Sequence, residues 1–265
     1  MVTGIRRCWC ALALSLCLLP AAAQTGAIPP SYAILSLAGN ALTVHGVRQQ
    51  VGLHVSGQSA TVFPIQEPVF DTAALTAADA IVRQVLPGAQ PVLLMSSDAG
   101  LYQAQNAMFE APAANEENRA YLRSLLKERG VSRLLLVTRL RDNAHFELTN
   151  GHAGNGSLEG LGFFVDELFE TINKQTRERS TGMVVPFAYV KVRLLDAVTL
   201  AVLGEADATA SRIIVRPAAS ATADAIWLSL SNAQKTAHLR QLLGCAMQST
   251  VPQLLAAAPL TTRCQ

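Results

Sequence analysis

Gly182 to Val215 reads GMVVPFAYVKVRLLDAVTLAVLGEADATASRIIV, and its alternation decides the fold class. Ala188, Val190, Val192 and Leu194 point one way and Tyr189, Lys191 and Arg193 the other, the period-two pattern of a half-buried strand. The return run repeats it. Val202, Gly204, Ala206, Ala208 and Ala210 lie on one face, and Glu205, Asp207, Thr209 and Ser211 on the other. Asp196 to Leu200 joins the two strands as a hairpin loop. Pairing Leu195 with Ala201 keeps every apolar side chain on one face, which a one-residue slip would not. It sets Lys191 opposite Glu205, Tyr189 opposite Asp207 and Val192 opposite Gly204. The resulting surface ion pair contributes a few tenths to about 1 kcal/mol. The Gly/Ala face of the return strand predicts a closely packed helix.

Upstream of this hairpin, Tyr32–Leu37 and Ala41–Val47 read as strands around a Gly39-Asn40 turn, an opening hairpin. Residues 48–68 read as irregular, with a short strand at Thr61–Ile65. Asp71 or Thr76 caps a helix with Leu75, Ala78, Val82, Val85 and Leu86 on one face, and Pro87-Gly88 ends it. Pro91–Met95 is a short apolar strand, and residues 97–114 are a mixed loop with helical turns. Asn115 caps the next helix, which has Glu116 and Glu117 in its first turn, Lys127 and Arg129 in its last, and Gly130 as its stop. Its apolar face is Tyr121, Leu122, Leu125 and Leu126. Leu134–Val137 reads as a strand buried on both faces, turned back at Arg141-Asp142-Asn143 into Ala144–Leu148. A glycine-rich loop (150–164) and a helix from Val165 to about Lys174 follow. Downstream, Ser231 and Gln234 form the capping box of a C-terminal helix with a stripe of Leu239, Leu242, Leu243, Ala246 and Met247, kinked or ended by Pro252. The order implies a single α/β or α+β domain over 31–256 with a mixed sheet of roughly five to seven strands.

The N-terminus reads as a cleaved signal peptide, residues 1–23. Arg6-Arg7 precede an apolar Ala11–Leu19, too short to span a bilayer, and Ala21-Ala22-Ala23 offers cleavage before Gln24. Residues 24–30 then form a leader and 257–265 a tail. Removing Arg6 and Arg7 takes Lys and Arg from 21 to 19, equal to the 19 Asp and Glu. A neutral mature chain argues against a nucleic-acid binder. No other stretch approaches a membrane span. Cys8, Cys10 and Cys17 leave with the signal, so Cys245 and Cys264 remain in an oxidising periplasm. The alternatives are a disulfide between them or a buried free Cys245 with Cys264 on a loose tail.

Candidate chemistry is sparse. Gly154, Asn155 and Gly156, whose amides could meet a ligand, and the Glu159 carboxylate are the candidate ligand-binding residues. No Gly-Lys-Ser/Thr follows them, and the dinucleotide glycine spacing is incomplete. The five histidines lack ligand spacing, and no nucleophile elbow occurs, so no metal, cofactor or catalytic residue is assigned. Two functional readings follow: a non-catalytic binding or accessory module of the cell envelope with an envelope protein as partner, or a hydrolase-type enzyme with a site around 150–162. A third is an outer-membrane-associated assembly subunit.

The A-I-L-S-L run of the first strand, the buried strand Leu134–Val137 running to Arg139, and the late V-R-L-L-D…E hairpin (Val192–Asp196, then Glu205) resemble the periplasmic α/β domain shared by the curli secretion lipoprotein CsgG, the N-terminal part of TolB, and LpoB. The late turn of that domain is commonly D-x-x-T-G; here Thr199 matches and Leu200 replaces the glycine. The chain is also similar to uncharacterised exported proteins of proteobacteria. The resemblance implies a non-catalytic accessory role in envelope assembly.

Overall fold

A computed structural model of the chain describes residues 30–49, 56–148, 151–172, 177, 179–215 and 223–256. The signal segment, most of the leader, and the tail with Cys264 lie outside the described residues. Strand β1 (Tyr32–Ser36) leads into β2 (Ala41–Gln49) and β3 (Ser56–Pro64). Helix α1 (Val69–Val85), β4 (Val92–Leu94), α2 (Ala99–Ala104), α3 (Ala107–Glu110) and α4 (Glu116–Glu128) follow. Then come β5 (Arg133–Arg139), the short β6 (Arg141–Asn143), β7 (Phe146–Leu148) and β8 (Gly151–Ala153). Two long strands, β9 (Ser157–Ile172) and β10 (Arg179–Asp196), precede β11 (Val202–Ser211), α5 (Ala223–Ser229) and α6 (Asn232–Leu254). The class is mixed α/β, built on a nine-stranded sheet plus the β7–β8 ribbon.

Collinear strands organise this sheet. Along one flank of β10, Val190–Asp196 pair with Arg139–Arg133 of β5, and Arg179–Tyr189 pair with Ile172–Gly160 of β9. Strands β5 and β9 therefore form one line, interrupted by the excursion from Leu140 to Gly160. On the next line β1 lies parallel to β5 and β2 parallel to β9. The outermost line is β4 beside β1 and β3 beside β2. Strand β11 flanks the other side of β10.

Several sequence expectations change. Strands β1 and β2 run in the same direction and do not pair, because Gly39-Asn40 bends the chain without reversing it. Val165–Ile172 of the expected 165–174 helix belong instead to β9, whose Leu161, Phe163 and Val165 face one core and Phe164 the other; residues 173–174 lie outside the described residues. Pairing with β10, and with β2 only as far as Asp166, overrides local helix preference. Arg141–Asn143 pairs with Ser157–Glu159, and the return strand 144–148 pairs with β8 and not with β5. The sheet gains strands over the expected count because β3 is longer than Thr61–Ile65 and because β6 and β9 belong to it. Asn115 does not cap α4 through its side chain; its Nδ2 donates to Ala107 and Ala111 carbonyls at 3.1 and 2.9 Å. Tyr121 is exposed, and Leu122 and Leu126 bury that helix. Asp71 is not a cap either; it lies in the first turn of α1 and is buried. Pro252 sits inside α6, which continues to Leu254.

The deciding hairpin keeps its faces but not its proposed register. Lys191 faces Asp207 and Arg193 faces Glu205, with Leu203 an extra residue between the Leu194–Gly204 and Leu195–Val202 pairs. The turn also closes one residue tighter, with the Asp196 amide donating to the Ala201 carbonyl at 3.0 Å. A two-residue shift preserves the period-two faces, so the pattern could not detect it. Lys191 Nζ lies 3.3 Å from Asp207 Oδ1 and 3.7 Å from Glu205 Oε1. The helix expected over the small face is α6: a Cβ on Gly204 would lie 3.2 Å from Leu254 Cδ2.

That turn holds Leu200 in a backbone conformation that favours glycine. One Asp196 carboxylate oxygen accepts from the Val198 and Thr199 amides and the Thr199 hydroxyl at 3.0–3.1 Å. The Thr199 amide bond is the largest influence holding this carboxyl below its usual range, and Arg133 adds to it. Leu200 takes φ +56°, a left-handed conformation costing a side chain about 1–2 kcal/mol. Its side chain is 1% exposed in the core with Leu134 and Ala197. Burying a leucine contributes about 1.5–3 kcal/mol, which offsets the strain. Strand β5 needs no such compromise: Leu134, Leu135, Leu136 and Val137 are each 0% exposed.

Candidate functional site

Polar groups gather where the β1–β5 pair hands over to β2–β9. Beyond Val137, β5 loses its β1 partner, and side chains from the α2–α3 corner replace it. Gln105 Oε1 accepts from the Arg139 amide at 2.8 Å, and Asn106 Nδ2 donates to the Arg139 carbonyl at 2.8 Å. Asn106 Oδ1 in turn accepts from Thr138 Oγ1 and Arg193 Nη1, each at 3.0 Å. Arg193 is 4% exposed, its guanidinium 4.8 Å over the Phe109 ring and its Nε 3.5 Å from Glu205. A buried cation is tolerated only with such partners.

On the other side of β5's end, Asp71 ties the two faces together. One oxygen accepts from Ser36 Oγ at 2.6 Å and the Gly39 amide at 3.0 Å; the other accepts from the Tyr102 hydroxyl at 2.7 Å. Burial beside Asp71 pushes the Tyr102 phenol well above its ordinary range. Gly39 makes the approach feasible, since a Cβ there would lie 2.7 Å from the Asp71 amide nitrogen. The carboxylate uses both oxygens to pin α1 and α2 to the bend between β1 and β2.

Arg139 leaves this junction for an open cleft. Its Nη2 donates to Asn40 Oδ1, while its Nε is buried with no hydrogen-bond partner among the described residues. The cleft encloses about 240 Å³ between Thr43, His45, Val62, Arg139, Arg141 and Glu159. Arg141 bonds the Ser157 hydroxyl at 3.2–3.3 Å. His45 Nε2 is also buried without a hydrogen-bond partner among the described residues, and burial lowers the pKa of that imidazole. Burial likewise lowers the Arg139 pKa against the charges of Glu159 and Asp71. The cleft thus holds a donor and a neutral imidazole ready for a hydrogen-bonding group.

Through the sheet lies a second pocket of about 230 Å³, apolar, among Leu42, Val44, Phe63, Phe163, Trp227 and Leu239. Phe163 meets Trp227 edge-on at 5.1 Å, and Lys235 Nζ covers the indole at 3.6 Å. Leu42 faces Phe63 and Thr43 faces Val62 across the β2–β3 ladder. The two pockets are therefore opposite faces of one hairpin.

Of the candidate ligand-binding residues named from sequence, Glu159 alone lines either of these pockets. Gly154 and Gly156 take φ +99° and +76° in the turn between β8 and β9. A Cβ on Gly154 would lie 2.7 Å from the Ala144 carbonyl, and the Gly156 carbonyl accepts from the Ala144 amide at 2.8 Å. Exposed Asn155 sits between them. These glycines fold the excursion. Gly162 sits in β9, where a Cβ would be 1.9 Å from the Thr43 carbonyl. His145 and His152 stack at 4.7 Å, with His145 Nε2 2.8 Å from Glu147. The side chains of His145 and Glu147 are 52% and 81% exposed, a surface cluster on the β7–β8 ribbon. No group of three metal-ligating side chains converges among the described residues, and no described helix is long and apolar enough to cross a membrane. Cys245 is disulfide-bonded; its partner lies outside the described residues, and we propose Cys264.

Sequence reasoning missed Asp71, Tyr102 and His45. Ser36, Asp71 and Tyr102 stand more than thirty residues apart in turn, so no spacing links them. The accessible signal was the uncharged run Ser56–Pro64, SGQSATVFP, read instead as irregular. In comparison with known proteins, no protein-family model matches this chain, and no curated protein matches it.

Proposed function

We propose that this chain is an exported, non-catalytic binding or accessory module of the cell envelope, akin to the periplasmic domain of CsgG, TolB and LpoB. One observation carries the reading. The polar groups at the centre of the sheet bond one another and hold the fold, whereas two open pockets lie on the two faces of a single exposed hairpin and a third, of about 910 Å³, lies against β7, β11 and α6. A site for chemistry concentrates reactive groups in one cavity; two dissimilar pockets back to back across one hairpin suit a surface that holds another molecule. The Arg6-Arg7, Ala11–Leu19 and Ala21–Ala23 succession supports export.

Expression of the full chain in a Gram-negative host, followed by fractionation and N-terminal sequencing, tests the reading. The expected product is periplasmic and begins at Gln24; a cytoplasmic product beginning at Met1 overturns export. Complementation of an envelope defect in a strain lacking the chain tests the rest. His145→Ala and His152→Ala are expected to complement, and failure of either folded one overturns the non-catalytic reading.

A further inference from the structure

Among the described residues the sheet ends on β3, β4, β11 and the short, charged β6 (Arg141–Asn143), and all but β3 are protected. An exposed edge presents unpaired amides and carbonyls to any extended chain, so proteins shorten, charge or bulge such strands. Strand β4 is three residues long. Strand β11 carries Glu205 and Asp207 and the extra residue Leu203. Strand β3 has none of these devices. It runs nine residues without a charge and without a break in its register to β2. Among the described residues β2 is its only strand partner. Ser59 to Pro64 are all exposed, with Val62 62% and Phe63 49% exposed.

We propose that β3 is a docking edge that accepts an extended segment of an envelope partner as a further strand. The segment alternates carboxylate side chains, facing the His45–Arg139–Arg141 cleft, with large apolar side chains, facing the Trp227 groove. This rests on the reading of the chain as a binding module and names its partner's chemistry. An added strand acquires main-chain hydrogen bonds from the edge, and its alternate side chains fall on opposite faces. Both faces here are provided for. Val62 borders the polar cleft and Phe63 the apolar groove, one residue apart on the edge strand itself.

Charge selects the occupant. Among the described residues Arg139 Nε is a buried donor without a hydrogen bond, and the exposed Arg141 guanidinium bonds the Ser157 hydroxyl. A carboxylate entering there meets two guanidinium groups against the single carboxylate of Glu159, a net positive lining, and Arg–carboxylate pairs are among the strong hydrogen bonds. Neither β3 itself nor the leader 24–29 carries a carboxylate side chain. A second copy paired through β3, or the chain's own leader, would leave the cleft unmatched.

The probe is an N-acetylated, C-amidated peptide TELELET, compared with TQLQLQT and TKLKLKT, titrated into the 15N-labelled mature chain. Expected are amide shifts confined to β3 and the two pockets, and affinity at least tenfold higher for the glutamate peptide than for the lysine peptide. Arg141→Ala is expected to abolish the glutamate-over-glutamine preference. Val62→Glu is expected to weaken the glutamate peptide at least tenfold with an unchanged melting temperature, because residue 62 is exposed. No shifts at millimolar peptide, equal binding of all three peptides, or shifts centred away from β3 would each overturn the proposal. So would sedimentation showing a dimer whose formation protects the β3 amides from exchange, since the occupant would then be a second copy. Failure here leaves export untouched, and failure of export leaves this binding measurable.

Discussion

The half of the sheet formed by β11, the end of β10, β5, β1 and β4 has helices on both faces, with α1 and α6 on one and α2 to α4 on the other. The half formed by β9, β2 and β3 is covered on one face by α5 and the start of α6 and on the other by the β7–β8 ribbon, and only as far as β9. Every described residue of β3 with an assigned exposure is open to solvent, and Asn40 to Gly46 are all half-buried. The same continuous strand lines run through both halves, so backbone pairing does not distinguish them. What differs is the apolar cover, and with it the cost of leaving an edge open. The covered half supplies stability, and the uncovered half supplies surface.

The junction between the halves is where the comparison breaks most easily. Asp71→Ala leaves the Ser36 hydroxyl and the Gly39 amide buried without their acceptor and the Tyr102 hydroxyl with the Ser96 carbonyl at 3.2 Å, and is expected to cost roughly 3–5 kcal/mol by chemical denaturation. A loss below about 1 kcal/mol would mean the junction is not what holds the halves together. Gly162→Ala presses a methyl group onto the Thr43 carbonyl and is expected to cost about 2–3 kcal/mol. Hydrogen exchange in that variant should accelerate in β2 and β3 and leave β1 and β5 protected; uniform acceleration would show that the halves do not unfold separately.

Within the covered half, Leu200→Gly relieves the left-handed strain but removes a buried side chain. The second term is larger, so a net loss of about 1–2 kcal/mol is expected, and a gain would show that strain dominates that turn. The uncovered half should respond to acid. Burial lowers the pKa of His45, and burial with Arg212 nearby lowers that of His238. Between the unfolded histidine value near 6.5 and these lowered folded values, the unfolded chain binds protons that the native chain does not, so stability falls as pH falls through that window. His45→Gln should flatten the slope, and an unchanged slope would assign it elsewhere. The smallest stability effect is expected for Asp207→Asn, under about 1 kcal/mol because its pair with Lys191 is largely solvated; Glu205→Gln added to it also removes a partner of the buried Arg193 and costs more. Stripped of these charges, the β11 edge should associate with rising concentration in sedimentation, as an unguarded edge does.

Local pattern was enough for the faces of β10 and β11, the closed packing of α6 on Gly204, the capping box at Ser231, and the doubly buried β5. Each depends on residues within a few positions of one another, and side-chain period alone sets which face is buried. The register of the β10–β11 hairpin was not legible, because a shift of two residues leaves every face unchanged. Neither was β9 legible as a strand: VDELFETI has helical preferences, and its pairing with β10 makes it extended. Of the pocket residues, Glu159 was named for a glycine loop, yet it serves a cleft assembled with His45 and Arg139 from other strands. The sequence by itself determined the class and the faces. Tertiary structure decided which strands share a line, where Asp71 bonds and which edge stays open, because those depend on contacts between segments tens of residues apart whose spacing leaves no periodic trace in the chain.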